Sequence, residues 1–528
     1  MKVRAIVTFV LALAAVHLLL SWPAFLAAPQ LLGLSRLAPD AAIVLAIALI
    51  GVVSGRRRRG LHVAAALVVI SVLFGTVAAE WPKNFDRAFE LRDAEMIWGL
   101  PHLLFDLEPS WLNTAIIVLP LVAAVYLIAW FSLSRLAAAG GRRGAVLWTV
   151  VLQALVLAGV VRPSIWHDSQ CGAFGRELAG SLGDWFDHGG DPSLLPPPPG
   201  AEKLAAAPAD LRGLEGADVH VIFIESYGRV ALRHDDIARH LRELYRQLEA
   251  ELAAAGYAAI SGACRPAVSG GGSELAHAQL FAAVAVPDYR MWERLQYCKL
   301  NPLPRLFADA GYLTVEVMPA MPRHWPEGAK FFGFAEQVTE LELGYEGFTY
   351  HFGKMPDQFA LHHLLERVVK PATRPVFSTF ISVTSHQPCR HIPPYIEDWN
   401  ISPTTFAGRP ARSYDRSWFD VAGSPDTAAA YGDALGYSLR AAVGFTCRLT
   451  RPSIVVVLGD HQPPIKKELV PSDKSHDVPI HVFANRPQLL EALAPLQLRP
   501  GLDVPEDVTA FDSADFAPTF MRAFSRPE

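Results

Sequence analysis

A chain of 528 residues that is 51% hydrophobic and only 19% charged, with a mean hydropathy of +0.22, is too apolar for an ordinary soluble enzyme. It is long enough for more than one folding unit and a large buried core. Its formal net charge of −5 implies no basic face, which argues against a nucleic-acid partner.

The excess apolarity is local. Apolar runs lie at about 5–27, 38–54, 61–81, 112–133 and 145–161, each near the roughly 17–25 residues that cross a hydrocarbon core as a helix. The first run, after Lys2 and Arg4, has the form of a signal peptide if taken alone, but four more spans favour a retained anchor. Lys2 and Arg4 precede the first span, Arg56 to Arg59 join the second and third, and Arg135, Arg142 and Arg143 join the fourth and fifth. The positive-inside rule makes all three clusters cytoplasmic, and five crossings then place everything after Pro163 outside. The outer connection 82–111 carries Phe85, Phe89, Leu91, Ile97, Trp98 and Leu104 among charges; it reads equally as a membrane-surface segment or an ordinary packed connection.

Residues 164–217 change character. The run DPSLLPPPPGAEKLAAAPADLRG is rich in Pro and Ala and reads as a semi-rigid linker, with a domain boundary near Gly200. The expected organisation is therefore a five-helix transmembrane domain over 1–163, a linker over 164–217 and an extracytoplasmic domain over 218–528. In that last part, 219–225, 314–318, 376–384, 453–460 and 480–484 are short strand-like runs bounded by breakers. Helical spacing fills 235–255, 357–370 and 427–449. The alternation predicts an α/β domain around a mainly parallel sheet, whose ligands bind beyond the carboxyl ends of the strands.

Two strand ends carry chemistry. VIFIESYGR ends on Glu225, and IVVVLGDHQPP ends on Asp460 and His461. Two carboxylates and an imidazole suit a divalent cation, Mn2+ or Zn2+; each taken alone is equally a helix cap, a salt bridge or a surface pair. In RPAVSGGGSELAHAQLF, three glycines run into Ser273 at the start of a helical pattern. A hydroxyl there, coordinated to a metal and backed by a helix N-terminus, is a candidate nucleophile; the alternative is a serine that only caps the helix. His386, directly after a buried-strand pattern, is placed to contact a phosphoryl oxygen or protonate a leaving alcohol, or else is a loop histidine bonded to backbone. His476 and His481 read as core or surface residues more readily than as site residues. Five scattered cysteines (Cys171, Cys264, Cys298, Cys389, Cys447) form no CxxC pair and no zinc spacing.

In this order, a strand-end Glu in FIESYG, a Gly-rich turn with a hydroxyl residue, Ser-His before proline and then LGDHQPP resemble the sulfatase-like branch of the alkaline phosphatase superfamily. Within that branch the sequence resembles lipoteichoic acid synthase and the phosphoglycerol and phosphoethanolamine transferases. The ending DSADFAPTFMRAF resembles the superfamily's closing segment, and the likeness spans most of 218–525.

The resemblance implies that Glu225, Asp460 and His461 bind the metal. It also implies that Ser273 replaces a threonine nucleophile that ligates the same ion, and that His386 contacts the substrate phosphate. Trp325 in MPRHWPEG resembles a tryptophan of the phosphoglycerol pocket; Pro326 and Glu327 stand where an arginine follows it, with Arg323 and His324 upstream as candidate substrate contacts. His277 stands where relatives often carry an acid.

The implied activity is transfer of a phosphoglycerol- or phosphoethanolamine-type headgroup from a phospholipid donor to an envelope glycan or polymer acceptor. It would proceed at a bacterial-type cytoplasmic membrane through a phospho-serine. A phosphodiesterase or sulfatase would use the same site, although CRPAV has Val268 where a formylglycine motif needs arginine. A catalytically inactive envelope scaffold is the reading from another class.

Overall fold

The computed structural model describes residues 2–27, 39–90, 93, 111–161, 174–175, 178, 197–205, 210–350, 354–408, 410–414, 426–505 and 508–525. The chain divides into two compact units, Met1–Asp191 and Pro192–Glu528.

Among the described residues the first unit has four long helices, α1 (Lys2–Ala27), α2 (Pro39–Val53), α3 (Arg57–Phe85) and α4 (Trp111–Val161). They share a seam that includes Val16, Leu20, Val44, Ala48, Ala64, Val68, Ala129 and Leu133. Helices α2 and α3 approach closely where Gly51 meets Gly60: a Cβ on Gly51 would lie 2.6 Å from the Gly60 Cα.

Among the described residues, two stretches, Arg57–Ala79 and Thr114–Ala138, are long and apolar enough to cross a membrane, matching the third and fourth expected spans. The apolar parts of α1 and α2, Val10–Pro23 and Ile43–Val53, are shorter. The expected connection between the fourth and fifth spans is not found, because α4 runs through Arg135, Gly140, Gly141, Arg142 and Arg143 without a break. Its only internal proline is Pro120, and two glycines at about 1 kcal/mol each do not interrupt a run otherwise rich in Ala, Leu and Arg. Leu91, Ile97, Trp98 and Leu104 of the expected surface connection, and Cys171, lie outside the described residues.

The second unit is a mixed α/β domain. The strands of its main sheet are β1 (Asp218–Ile224), β2 (Ala258–Arg265), β3 (Leu313–Met318), β4 (Glu336–Thr339), β5 (Val376–Ile381), β6 (Ser453–Gly459), β7 (Val478–Ala484), β8 (Arg499–Pro500) and β9 (Phe511–Asp512). They form a nine-stranded sheet in the order β8-β2-β7-β6-β1-β5-β3-β4, with β9 beside β2. The block β6-β1-β5-β3-β4 is parallel. Strand β7, expected to join a mainly parallel sheet, instead runs antiparallel to both β6 and β2. The connection from β6 to β7 holds only the short helix Lys466–Leu469, too little for a crossover, so the chain turns back at the same edge. Two reversals leave β2 pointing the same way as β1.

Strand alternation divides the core into two layers. Ile222 and Ile224 face one side, under α5 (Asp235–Ala254), and Val219, Val221 and Phe223 face the other, under α6 (Ser273–Ala282). Helix α5 earns its place through Ile237, Leu241, Leu248 and Leu252 on one stripe and through Asp235 and Asp236 in its first turn, where carboxylates complement the helix dipole. The short helices α7 (Tyr289–Leu295) and α8 (Asp357–His363) follow, then α9 (Asp426–Thr446) beside α5 and α10 (Phe516–Phe524) beside α6. From the Pro- and Ala-rich stretch, Ala201, Leu204, Leu211, Leu214 and Ala217 are buried in this unit's core. The loops after β1, β2, β3, β5 and β6 consequently open on one edge of the sheet, the place where α/β sheets bind ligands.

Gly459 closes β6 against the turn after β1, where an added Cβ would lie 2.0 Å from the Tyr227 carbonyl oxygen. Gly459→Ala is expected to destabilise the protein by about 1–3 kcal/mol, read as a lowered thermal midpoint of the detergent-solubilised chain. An unchanged midpoint would show that the β1 turn yields without cost.

Candidate metal centre

Strand register builds the centre. Ile224 pairs with Gly459, so Glu225 and Asp460 leave neighbouring parallel strands side by side. His461 follows Asp460 directly. Ser273 arrives from the turn after β2, where Gly270, Gly271 and Gly272 have φ of 80°, 153° and 82°, conformations that glycine adopts without a Cβ penalty. Gly272, not Ser273, occupies the capping position of α6. The Ser273 hydroxyl instead donates to Glu225 Oε2 at 3.3 Å and lies 3.2 Å from His461 Nε2. The capping alternative for this serine is therefore not the geometry found.

Glu225, Asp460 and His461 are all buried, and one ligand atom from each lies within 4.8 Å of the others. The His461 Nδ1–H donates to the Gln462 carbonyl at 2.9 Å, which leaves Nε2 as the ring nitrogen facing the cluster, 3.8 Å from Glu225 Oε1 and 3.6 Å from Asp460 Oδ2. Burial, then repulsion from Glu225, pushes the Asp460 carboxyl up to about 6. Burial alone would lower His461, but Asp460 and Glu225 outweigh it and the imidazole is raised. Both shifts describe carboxylates crowded together out of water.

A cation fits this set on an observation independent of the donor count. Asp460 Oδ1 accepts from the backbone N–H groups of Ser226 (2.8 Å) and His461 (2.7 Å), whereas Oδ2 is buried with no hydrogen-bond partner. An orphaned anionic oxygen is costly in a low-dielectric interior, and a divalent ion would satisfy it. Glu225, Asp460 and His461, with the Ser273 hydroxyl, would hold such an ion.

The remaining candidates sit around this cluster. His386 is half-buried on the loop after β5, with Nδ1–H donating to the Gln387 carbonyl at 2.7 Å. That loop is fastened to the metal strand, since Ser385 Oγ donates to the Glu225 carbonyl at 2.6 Å and Ser382 Oγ accepts from the Glu225 N–H at 2.9 Å. Trp325 lies after β3, its ring stacked on Trp292 of α7 with centroids 5.4 Å apart. Arg323 and His324 are exposed, and His324 Nε2 lies 3.1 Å from Glu342. His277 is buried with its ring centroid 4.0 Å from that of Phe223, and burial lowers it to about 4. His481 is a core residue, bonded to Ser261 at 2.8 Å and Tyr227 at 3.0 Å, and His476 Nδ1–H donates to the Ala267 carbonyl at 3.1 Å.

Several supporting residues carry no sequence signal of their own. Gln462 accepts the Gly270 N–H on its carbonyl at 2.8 Å, and the buried Lys466 ammonium donates to Ser269 Oγ at 3.3 Å. These bonds join the glycine turn to the loop that bears His461. Fully buried Asp357, at the start of α8, accepts from the N–H groups of Val383 (2.7 Å) and Thr384 (3.2 Å) and from Ser438 Oγ (2.7 Å), holding the loop that leads to His386. Ser226 and Gln462 are chain neighbours of Glu225 and His461, but adjacency alone does not reveal the bonds they make.

No protein-family model matches the chain, and no curated protein matches it. Among solved structures, it is similar to the lipoteichoic acid synthase LtaP of Listeria monocytogenes at 15% identity and a TM-score of 0.37, over 61% of this chain and 77% of that one. It is similar to the periplasmic domain of EptC from Escherichia coli at 13% identity and a TM-score of 0.36, over 57% of this chain and 80% of that one. The phosphoglycerol transferase GacH of Streptococcus pyogenes, solved with sn-glycerol-1-phosphate, is similar at 12% identity and a TM-score of 0.36, over 62% of this chain and 78% of that one.

The charge crowding sets a pH dependence. With Asp460 held near 6 against roughly 4 in an unfolded chain, the metal-free native state binds the extra proton between those values. Its stability therefore falls as pH rises through that window, and the raised His461 acts in the same direction. A cation must displace these protons. Added Mn2+ or Zn2+ is expected to raise the thermal midpoint at pH 7, and progressively less below about pH 6. A metal-induced rise that is undiminished at pH 5 would remove Asp460 from the ligand set.

Proposed function

We propose that the protein is a membrane-anchored, metal-dependent transferase that moves a phosphoglycerol- or phosphoethanolamine-type headgroup from a phospholipid to an envelope glycan or polymer. The observation that carries this reading is the meeting of the Ser273 hydroxyl with Glu225, Asp460 and His461. That arrangement puts one nucleophile at one cluster of anionic and imidazole donors on the ligand-binding edge of the sheet. When bound, a divalent cation there, Mn2+ or Zn2+, would lower the pKa of the serine hydroxyl and neutralise charge on the phosphoryl oxygens.

The chain's own residues supply the rest. Ser273 Oγ, its proton released to solvent before the attack, bonds to the phosphorus of the headgroup, and the bond from phosphorus to the diacylglycerol oxygen breaks; the second half-reaction returns Ser273 Oγ unprotonated. His386 gives the leaving oxygen its proton and recovers one from the acceptor hydroxyl in the second half-reaction. In that half-reaction the headgroup leaves Ser273 for the acceptor. The N–H groups of Ser273 and Glu274, ahead of those of Leu275 and Ala276 that bond to the Gly272 carbonyl, would add donors near the transferred group. Trp325, Arg323 and His324 would contact the headgroup.

The spans keep the domain at the surface where a lipid donor lies, and the Lys and Arg clusters favour an extracytoplasmic catalytic unit. Helix α4 has 51 residues, about 75 Å at 1.5 Å per residue, against a hydrocarbon core of about 30 Å. For both of its apolar halves to cross, it would divide near Gly140 and Gly141.

The test is release of diacylglycerol from headgroup-labelled phosphatidylglycerol and phosphatidylethanolamine by the full-length protein, with and without Mn2+ or Zn2+. Metal-dependent release from one lipid, at least 1,000-fold lower in Ser273→Ala by analogy with loss of other activated nucleophiles, is the expected outcome. Label appearing in water-soluble headgroup phosphate rather than on an acceptor would make water the acceptor. Undiminished release by Ser273→Ala would overturn the phospho-serine route.

A further inference from the structure

The two carboxylates of the centre are joined by one small residue that belongs to neither strand. Ser226 follows Glu225 and has φ of +56°, the left-handed region that a non-glycine residue enters at a cost. In that conformation its N–H donates to Asp460 Oδ1 at 2.8 Å and its hydroxyl donates to Glu225 Oε1 at 2.7 Å. The conformation is braced from behind: the Ser226 carbonyl accepts from Tyr431 Oη at 2.6 Å and from the Gly228 N–H at 2.8 Å. Ser226 is 1% exposed and Tyr431 is fully buried, so water does not compete for these bonds.

The consequence is a choice of oxygens. Each carboxylate has two, and Ser226 occupies one on each. Left over are Glu225 Oε2, which faces the Ser273 hydroxyl at 3.3 Å, and Asp460 Oδ2, which has no hydrogen-bond partner and lies 3.6 Å from His461 Nε2. Glycine at this position would keep the backbone turn and the bond to Asp460 but leave Glu225 Oε1 unbound. We infer that Ser226 is a positioning residue for the metal centre: it selects the oxygen that each carboxylate presents to the cation and holds the two carboxylates at a fixed separation. This rests on the metal-centre part of the proposed function and is independent of which lipid or acceptor is used. Hydrogen-bond partners behind metal ligands are typically worth 10–100-fold in metal affinity.

The experiment compares wild type, Ser226→Ala and Ser226→Gly as full-length proteins in detergent. Mn2+ and Zn2+ dissociation constants are read by competition with a chromogenic chelator, and the thermal midpoint is measured with and without metal. Ser226→Gly relieves the φ strain, so it remains folded even if Ser226→Ala does not. Both variants are expected to lose about 10–100-fold in metal affinity, with a smaller metal-induced rise in midpoint, while metal-free Ser226→Gly melts close to wild type. A merely structural serine would lower the metal-free midpoint and leave the affinity unchanged, and wild-type affinity in Ser226→Gly overturns the inference. A wild-type protein that binds neither ion overturns both the inference and the metal-centre reading. Failure of lipid release with the affinity loss intact overturns only the proposed reaction.

Discussion

The second unit is organised around two carboxylates forced together by strand pairing. Parallel register between β1 and β6 leaves Glu225 and Asp460 no route apart, because sliding either strand by one residue would turn its whole apolar set to the opposite face. Both are buried, and His461 is the basic side chain that lies within ion-pair distance of them. Left to themselves, such groups keep protons, which is what the raised Asp460 expresses. Burial of like charges weakens the metal-free domain and prepares it for a cation at the same time.

Holding that arrangement occupies much of the surrounding polar structure. Of the loops that open on this sheet edge, those after β1, β2, β5 and β6 are each tied to a neighbour by a buried hydrogen bond. The turn after β1 reaches Asp460 through Ser226, and the loop after β5 reaches the Glu225 backbone through Ser382 and Ser385. The glycine turn after β2 reaches the loop after β6 through Gly270 and Ser269. These bonds cross between different loops, so displacing one loop leaves polar groups of another unsatisfied in a dry interior.

What could be read in the sequence follows from where the information is local. Strands β1 and β6 announce themselves because both faces are buried, giving apolar runs, interrupted in β1 only by His220, that end abruptly in charge. Strand β2, AAISGACR, has small residues and partial exposure, and β4 is four residues long; neither produces a run that stands out. The direction of β7 depended on the length of structure between β6 and β7, which no strand-like pattern contains. The continuity of α4 through Arg135 and Gly140 to Arg143 went unread for the opposite reason: a charge cluster beside a glycine pair has the composition of a loop. Glu225, Ser273, Asp460 and His461 were legible as residue types at strand and helix ends. Ser226, Asp357 and Lys466 were not, because a buried polar residue declares its partner only through tertiary contact.

The same distinction applies at the mouth of the site. Tyr289 donates to the carboxylate of Glu274, the neighbour of Ser273, and one turn later on α7 Trp292 stacks against Trp325. Gln337 of β4 takes up the Trp325 N–H at 3.3 Å and donates to Glu316 of β3 at 2.9 Å. Glu316 is fully buried and is pushed up to about 7 by that burial. Gly328 is required beneath the indole, since a Cβ there would lie 2.1 Å from Trp325 Cε3. Trp325 is thus held from α7, β3, β4 and its own turn, whereas Arg323 and His324 stand exposed on the approach to it. In the proposed reaction this arrangement would divide the labour of recognition: the braced indole would fix where a headgroup rests, and the exposed Arg323 and His324 would meet its charge without reshaping the floor of the site.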